Sequence, residues 1–306
     1  CGEIILRSKE FCNLTEVVAR VDDDEASLIR KVKQATILGT YQSSLTDFPF
    51  LSKEWQRNCN EERLLGVSVT GQWDCQAVRK PEVLQNLLAE ARKTNKVYAA
   101  KFGVAPSMAI TCVKPSGTVS QLVDASSGMH PRHSEYYIRR IRISATDGLF
   151  QMLKDQKVPY KPEVGQAAGS ANTYVIEFPV KAPKGAAFGK DLSAIQQLEH
   201  WKMVKQNYTE HNPSVTISVG DDEWLDVAHW LYKEWDILGG LSFLPREETV
   251  YQLAPYEAIT KERYEEIKAG FPDIDFSQIV LYEKDDTTSG AKELACVSGV
   301  CEIQEL

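Results

Sequence analysis

Cys1 and Cys12 lie in the opening stretch CGEIILRSKEFCNL, and Cys296 and Cys301 in the closing stretch ELACVSGVCEIQEL, in a chain that holds seven cysteines in all. Chain ends are normally the loosest part of a fold, so sulfur at both extremities raises the question of what it does there. Cys296 and Cys301 are separated by Val-Ser-Gly-Val, a spacing that closes a small ring and accepts a reversible disulfide. Zinc is the rival reading, but a structural zinc site takes a full set of ligands, usually in two close pairs, and no second pair or Cys/His cluster accompanies this one. Two unrelated tail cysteines are the plain alternative. At the other end, Cys1 and Glu3 are two residues apart, and in extended chain such residues point to the same side. A thiol and a carboxylate would then address one small substrate together. The run IILRSKEF is apolar and then polar enough to turn, which would bring Cys12 back towards Cys1. An ordinary strand–turn–strand with a buried Cys12 competes with that reading.

Other stretches bear on anion and metal chemistry. In TCVKPSGTVSQL (111–122) a strand gives way at Lys114 and Pro115 to a small-residue turn and then a helix. Free backbone N–H groups at a helix start bind phosphate, and Ser116, Gly117 and Thr118 let an anion approach. The spacing is not that of a P-loop, and many helices start this way for capping alone. HPRHSEYYIRRIR (130–142) carries four arginines against one glutamate. Arg140 and Arg142 share a strand face opposite Ile141 and Ile143, where they either complement polyphosphate or form a solvated, salt-bridged strand edge. His130 and His133 are possible metal ligands, but no carboxylate or cysteine completes a site beside them.

The elements that must position these groups follow from periodicity and stop signals. Helices are expected at 24–39, 81–103, 117–123, from SATD (144–147) to about 157, from the Ser-x-x-Gln capping box at 193–196 onward, at 222–235, and from near Thr260 to before Gly270. Strands are expected at 107–113, 136–144, 173–180, 214–219 and 241–245. This alternation favours an α/β architecture with parallel strands. From about Tyr282 the chain is polar and rich in small residues, and it reads as a flexible linker that tethers the distal cysteine pair.

Composition narrows the classes. With 306 residues, 43% hydrophobic and 25% charged, the chain can bury a substantial core. No apolar run approaches the roughly 18 to 20 residues of a membrane span, and no signal-peptide pattern opens the chain, so a cytoplasmic protein is expected. There, thiols stay reduced. A net charge of −8 argues against nucleic acid as a partner.

Taken in order, CGEIILRSKEFCNL, TCVKPSGTVSQL, GMHPRHSEYYIRRIR, HNPSVTISV, LSFLPR and CVSGVC closely resemble the adenosylcobalamin-dependent ribonucleotide reductases, in the monomeric type that reduces ribonucleoside triphosphates. The resemblance runs from residue 1 to the tail. It implies the C-terminal part of a ten-stranded α/β barrel of the ribonucleotide reductase and glycyl-radical type, beginning at the tip of the central finger loop. Residues 1–281 would be the C-terminal part of the catalytic barrel and 282–306 a redox tail.

By the same resemblance Cys1 matches the cysteine that becomes the thiyl radical and removes the ribose 3′ hydrogen. Glu3 matches the general base on the 3′-hydroxyl, and Cys12 one of two cysteines that supply reducing equivalents. Cys296 and Cys301 match the tail pair that resets that disulfide and is itself reduced by thioredoxin or a similar dithiol. Ser116, Gly117 and Thr118 match the substrate phosphate loop. The implied cofactor is adenosylcobalamin, whose contacts the resemblance does not assign to residues here. The implied partners are a ribonucleoside triphosphate and the N-terminal part of the same reductase, which would carry the partner of Cys12 and the allosteric site and without which this chain would be inactive. The family's Asn-Pro before the residue matching Cys1 is not in this sequence. Cys59, Cys75 and Cys112 match no redox role and read as small buried hydrophobes. A start at Cys rather than Met is expected of a segment that follows an intein, or of a trimmed fragment. A non-catalytic remnant that binds a nucleotide is the competing class of function. No Arg-Val-x-Gly-Tyr glycyl-radical motif stands near the C-terminus.

Overall fold

The computed structural model describes residues 2–246 and 252–283 of the chain. Cys1, Cys296 and Cys301 lie outside the described residues, as does the tail read as a linker from residue 284 onward. The first half of the described chain runs β1 (Asn13–Val18), α1 (Glu25–Ser43), α2 (Lys53–Glu62), β2 (Leu65–Thr70), α3 (Pro81–Phe102), α4 (Val119–Leu122), β3 (Tyr136–Ser144) and α5 (Gly148–Asp155). Then follow β4 (Tyr160–Pro162), β5 (Thr173–Lys181), α6 (Ala194–Asn207), β6 (Val215–Val219), α7 (Trp224–Lys233), β7 (Leu241–Pro245), β8 (Tyr256–Ala258) and α8 (Lys261–Gly270). Two units share these elements. The first holds the chain up to Arg132 and resumes at Pro183; the second holds His133–Ala182 and the described residues from 252 on.

Parallel strands build the first unit. β1 pairs with β2 from Asn13–Leu65 to Val18–Thr70, and β6 with β7 from Val215–Leu241 to Val219–Pro245. Between these pairs runs the segment 109–114, tied to β2 by the parallel bridge Val67–Thr111 and to the chain before β6 by Val113–Pro213. The strand expected at 107–113 is thus reduced to two bridges. Side chains alternate along a strand, and the odd-numbered residues Val17, Leu65, Val67, Val69, Val113, Val215, Ile217 and Val219 all enter one core. Leu28 and Val32 of α1, Leu84 and Leu87 of α3, and Leu198 and Trp201 of α6 cover that face. Each such side chain contributes roughly 1.5–3 kcal/mol by leaving water. The even-numbered positions point to the opposite face, where Leu14, Glu16, Gly66, Ser68 and Cys112 lie.

Caps fix where the covering helices begin. Asp24 and Ser27 form a capping box at α1, and Ser193 and Gln196 form another at α6. α3 opens at Pro81 and closes at Gly103, whose φ of 70° is left-handed, as Pro at a start and Gly past an end should. Gly39 does not stop α1, which runs on to Ser43. It lies against Leu65 and Thr15 of the sheet, where a Cβ would meet them at 3.5 and 3.6 Å. Contact with the sheet overrides the weak helix propensity of glycine.

The second unit corrects the expectation of parallel pairing throughout. Its sheet has the order β4-β5-β3-β8 and is antiparallel, with β3 and β5 in register from Tyr136–Lys181 to Ser144–Thr173. A helix between two strands is compatible with either sense, so alternation alone did not decide it. Ile143, Phe150, Met152, Leu153, Val158 and Ile176 form a separate core there. No helix among the described residues is long and apolar enough to cross a membrane.

Candidate active site

The opening segment folds back on itself. Ser8 and Lys9 form a turn, with Lys9 at a φ of 60°, and the Glu10 carboxylate accepts the Arg7 N–H at 3.0 Å. α2 holds this turn from outside. Arg7 pairs with Glu61 and Glu62 at 2.9 Å each, Lys9 pairs with Glu54, and the Asn58 side chain donates to the Ser8 carbonyl at 2.9 Å. Charged residues in RSKE and on one face of α2 therefore fix a reversal that places Cys12 just before β1. The chain turns at Ser8–Lys9 as RSKE suggests, while Cys1, towards which Cys12 is expected to return, lies outside the described residues.

On the near side of the reversal, residues 2–4 lie across the sheet. The Asn212 N–H donates to the Glu3 carbonyl at 2.9 Å, and its side-chain amide donates to the Gly2 and Gly240 carbonyls at 3.3 Å. Glycines make this approach possible. A Cβ on Gly239 would stand 2.0 Å from Asn212 Oδ1, and one on Gly240 would stand 3.3 Å from the Gly2 Cα. Gly66 does the same on β2, where a Cβ would meet Leu14 at 2.3 Å, Cys112 Sγ at 3.1 Å and Ile4 at 3.2 Å.

The thiols on this face keep their protons. The Cys12 pKa is pushed up to about 12 by burial first and by the negative charges of Glu10 and Glu3. Cys112 is raised well above the ordinary range, by burial and then by Cys12, Glu16 and Glu3. Cys112 is thus within electrostatic reach of all three, which places Glu3, Cys12 and Glu16 around one region of the sheet face. Cys59, Cys75 and Cys112 are buried, at 5%, 0% and 0% exposure, as small apolar residues would be.

The Ser116–Gly117–Thr118 turn follows segment 109–114 on the same face. Ser116 takes a φ of 54°, which an L-residue adopts only when its surroundings hold it. Its hydroxyl donates to Glu16 Oε2 at 2.6 Å, while the Ser68 hydroxyl donates to Glu16 Oε1 at 2.8 Å. Ser68 Oγ in turn accepts the Lys114 N–H at 2.9 Å. Burial raises the Glu16 pKa against the opposing hydrogen bonds of Ser116 and Ser68 and the charge of Lys114. The N–H groups of Gly117, Thr118 and Val119 donate to no protein acceptor among the described residues. Helix α4 behind the turn is a single turn, Val119–Leu122, too short to add much of a helix dipole to these N–H groups.

Other candidates are resolved by their partners. His130 donates from Nδ1 to the Ser127 carbonyl at 2.9 Å and accepts the Thr216 N–H at Nε2 at 2.9 Å, so its ring nitrogens are spent. His133 lies between Tyr137 and Tyr256. Among the described residues no group of three or more His, Cys, Asp or Glu is placed to hold a metal ion. Arg140 pairs with Glu177 and Glu257, and Arg142 with Glu163. Arg140 and Arg142 are thus held in buried ion pairs on β3, which sits inside its sheet between β5 and β8, not on an edge, while Arg139 lies over the Tyr256 ring. Glu16 and Ser68, which bond to one another beside the Ser116 turn, were not singled out by motif, and Asn212 lies within HNPSVTISV with no role of its own assigned. A signal for Glu16 does exist, since a glutamate interrupts the apolar run of NLTEVV.

No protein-family model matches the chain. Curated relatives do. An adenosylcobalamin-dependent ribonucleoside-triphosphate reductase of Lactobacillus acidophilus is 28% identical over 341 aligned residues, covering 99% of this chain and 45% of the relative. The chain is homologous to these reductases. A probable enzyme of the same name from Dictyostelium discoideum is 29% identical over 91% of this chain and 37% of its own length, and one from Lactobacillus leichmannii is 28% identical over 99% and 45%. The chain thus spans less than half the length of the reductases it matches. A crystal structure of a B12-dependent (class II) ribonucleotide reductase superposes with a TM-score of 0.75 at 24% identity, over 94% of this chain and 44% of that one, so the fold is shared.

Proposed function

We propose that this chain is the C-terminal part of an adenosylcobalamin-dependent ribonucleoside-triphosphate reductase, completing a ten-stranded barrel with an N-terminal part. The observation that supports this best is the reversal at Ser8–Lys9, which sets Glu3 and the protonated Cys12 thiol on one sheet face directly after Cys1. A C–H bond on an unactivated sugar does not yield to acid–base catalysis. In this reading a thiyl radical on Cys1 takes the ribose 3′ hydrogen, and Glu3 accepts the 3′-hydroxyl proton as the 2′-hydroxyl leaves as water. Cys12 and a second cysteine in the N-terminal part then supply two electrons and two protons and end as a disulfide, and the 3′ hydrogen returns from Cys1. A thiol with a pKa of about 12 arrives at that step still carrying its proton.

Adenosylcobalamin would supply the initiating radical through homolysis of its cobalt–carbon bond. The segment that would meet it fits a large flat ligand in one respect: Ile5 is 91% and Leu6 43% exposed directly after Glu3, offering apolar contact area. Gly117, Thr118 and Val119 would bind the triphosphate through their N–H groups. Cys296 and Cys301 would carry electrons from thioredoxin or a similar dithiol to the Cys12 disulfide, in the cytoplasm. Joining the chain to a matching N-terminal part and assaying cobalamin-dependent formation of deoxyribonucleoside triphosphate tests the reading. Turnover that vanishes in Cys1→Ser is expected; turnover unchanged by that substitution sinks it. In Cys296→Ser/Cys301→Ser, a single turnover on stored thiols should survive while cycling on thioredoxin stops.

A further inference from the structure

We propose that Glu16 is a positioning residue for the substrate triphosphate: it sets the conformation of the Ser116–Gly117–Thr118 turn so that main-chain N–H groups, not the Ser116 hydroxyl, face the phosphates. This inference rests on the reading given above of the turn as a phosphate site.

A carboxylate beside an anion site is at first sight misplaced, since like charges repel. The geometry removes the difficulty. Both Glu16 oxygens are engaged, one by the Ser116 hydroxyl at 2.6 Å and the other by the Ser68 hydroxyl at 2.8 Å, and Lys114 adds a compensating charge. The carboxylate thereby holds the turn at two points. It fixes Ser116 directly in its left-handed conformation, and through Ser68 it fixes the Lys114 N–H on the strand that leads into the turn. A hydroxyl has one proton, and that of Ser116 is given to Glu16, so it is not available to donate to a phosphate oxygen. Gly117, Thr118 and Val119, whose N–H groups have no acceptor among the described residues, remain to do so. The far end of the loop is fastened independently, by Thr70 Oγ1 to the Ser126 carbonyl and by the Gly128 N–H to Thr70 Oγ1, each at 2.8 Å. Loss of Glu16 therefore frees the near end alone.

The test uses the chain joined to its N-terminal part, with equilibrium binding of a ribonucleoside triphosphate and of the same nucleoside without phosphates. Glu16→Ala is expected to weaken triphosphate binding by about tenfold or more, the scale of hydrogen bonds to a charged group, while nucleoside binding stays within about twofold. Glu16→Gln, whose amide oxygen still accepts one hydroxyl, should recover most of the loss. Triphosphate affinity unchanged in Glu16→Ala, or equal weakening for nucleoside and triphosphate, overturns the proposal, the second outcome marking a merely structural role. Should Glu16→Ala fail to fold, Ser68→Ala decides, since it releases the Lys114 N–H and one Glu16 oxygen while leaving Glu16 bonded to Ser116. A selective loss of triphosphate affinity supports the proposal and none overturns it. A wild-type protein that reduces nucleotides yet gains nothing from their phosphates at this turn would remove the inference while leaving the reductase reading intact. One that neither binds nor reduces them removes both.

Discussion

With its pKa at about 12, the Cys12 thiol holds its proton across the whole physiological range. Thiolate is the reactive form towards alkylating agents. Raising the pKa by three units from an ordinary value near 9 lowers the thiolate fraction at pH 8 about a thousandfold. Iodoacetamide should therefore label Cys12 far more slowly than a free cysteine at pH 8, as peptide mass mapping would show. Rapid labelling would mean that the site is wetter than the structure has it. Glu3→Gln in the reassembled enzyme should lower turnover by about a hundredfold, the usual contribution of a general base, with substrate affinity retained; single-turnover kinetics separate the two. The turn between Glu3 and Cys12 was legible in the sequence because RSKE is local and turn-prone, while the roles proposed for both residues come from the family resemblance. Glu16 was not legible, because its partners Ser68 and Ser116 lie 52 and 100 residues away, and only the parallel ladder brings them together.

The strands show how little of a register local patterning specifies. VTISV and LSFLP stood out as apolar runs, and both are strands. LGVSVT was passed over although all six of its residues are buried, since a strand covered on both faces lacks the polar alternation that marks a half-exposed one. Gly66 within it is a position with little room for a side chain. A Cβ there would stand 2.3 Å from Leu14 and crowd Cys112 and Ile4, so Gly66→Ala should cost about 1–3 kcal/mol, the usual penalty of overpacking, in a urea or guanidinium titration. The same substitution should displace residues 2–4 and lower turnover. A variant as stable as wild type would show that Leu14 can move aside freely. In the second unit, Arg142→Met would strand Glu163, whose side chain is 1% exposed, without its ion-pair partner. A loss of about 3–5 kcal/mol follows from leaving a buried charge unpaired. RRIR announced the arginines, but the carboxylates that neutralise them come from β5, β8 and the chain after β4, which sequence proximity does not reveal.

Across the whole molecule, buried histidines tie stability to pH. His200 accommodates a neutral ring against Trp73, 4.8 Å between centroids, bonded through Nε2 to Gln72 Oε1 at 2.9 Å. Its pKa falls to about 3, from burial first and then the charge of Arg79. The unfolded chain takes up that proton near pH 6.5 whereas the folded one does not, so the stabilisation is complete above pH 6.5 and drains away below it at about 1.4 kcal/mol per pH unit. The partly buried His130 and His211 shift in the same direction, so acid unfolding should begin well above the carboxylate range. In chemical denaturation between pH 7 and pH 4, His200→Gln should reduce the slope by about one proton; an unchanged slope would place the acid sensitivity elsewhere. A last consequence concerns synthesis. Arg132 bridges to Phe188, so the first unit's chain departs and returns at adjacent points around residues 133–182. β1, β2 and α3 thus leave the ribosome about ninety residues or more ahead of α6 and β6, the pieces that complete their core, and a nascent chain at that stage has an open apolar sheet for chaperones to shield.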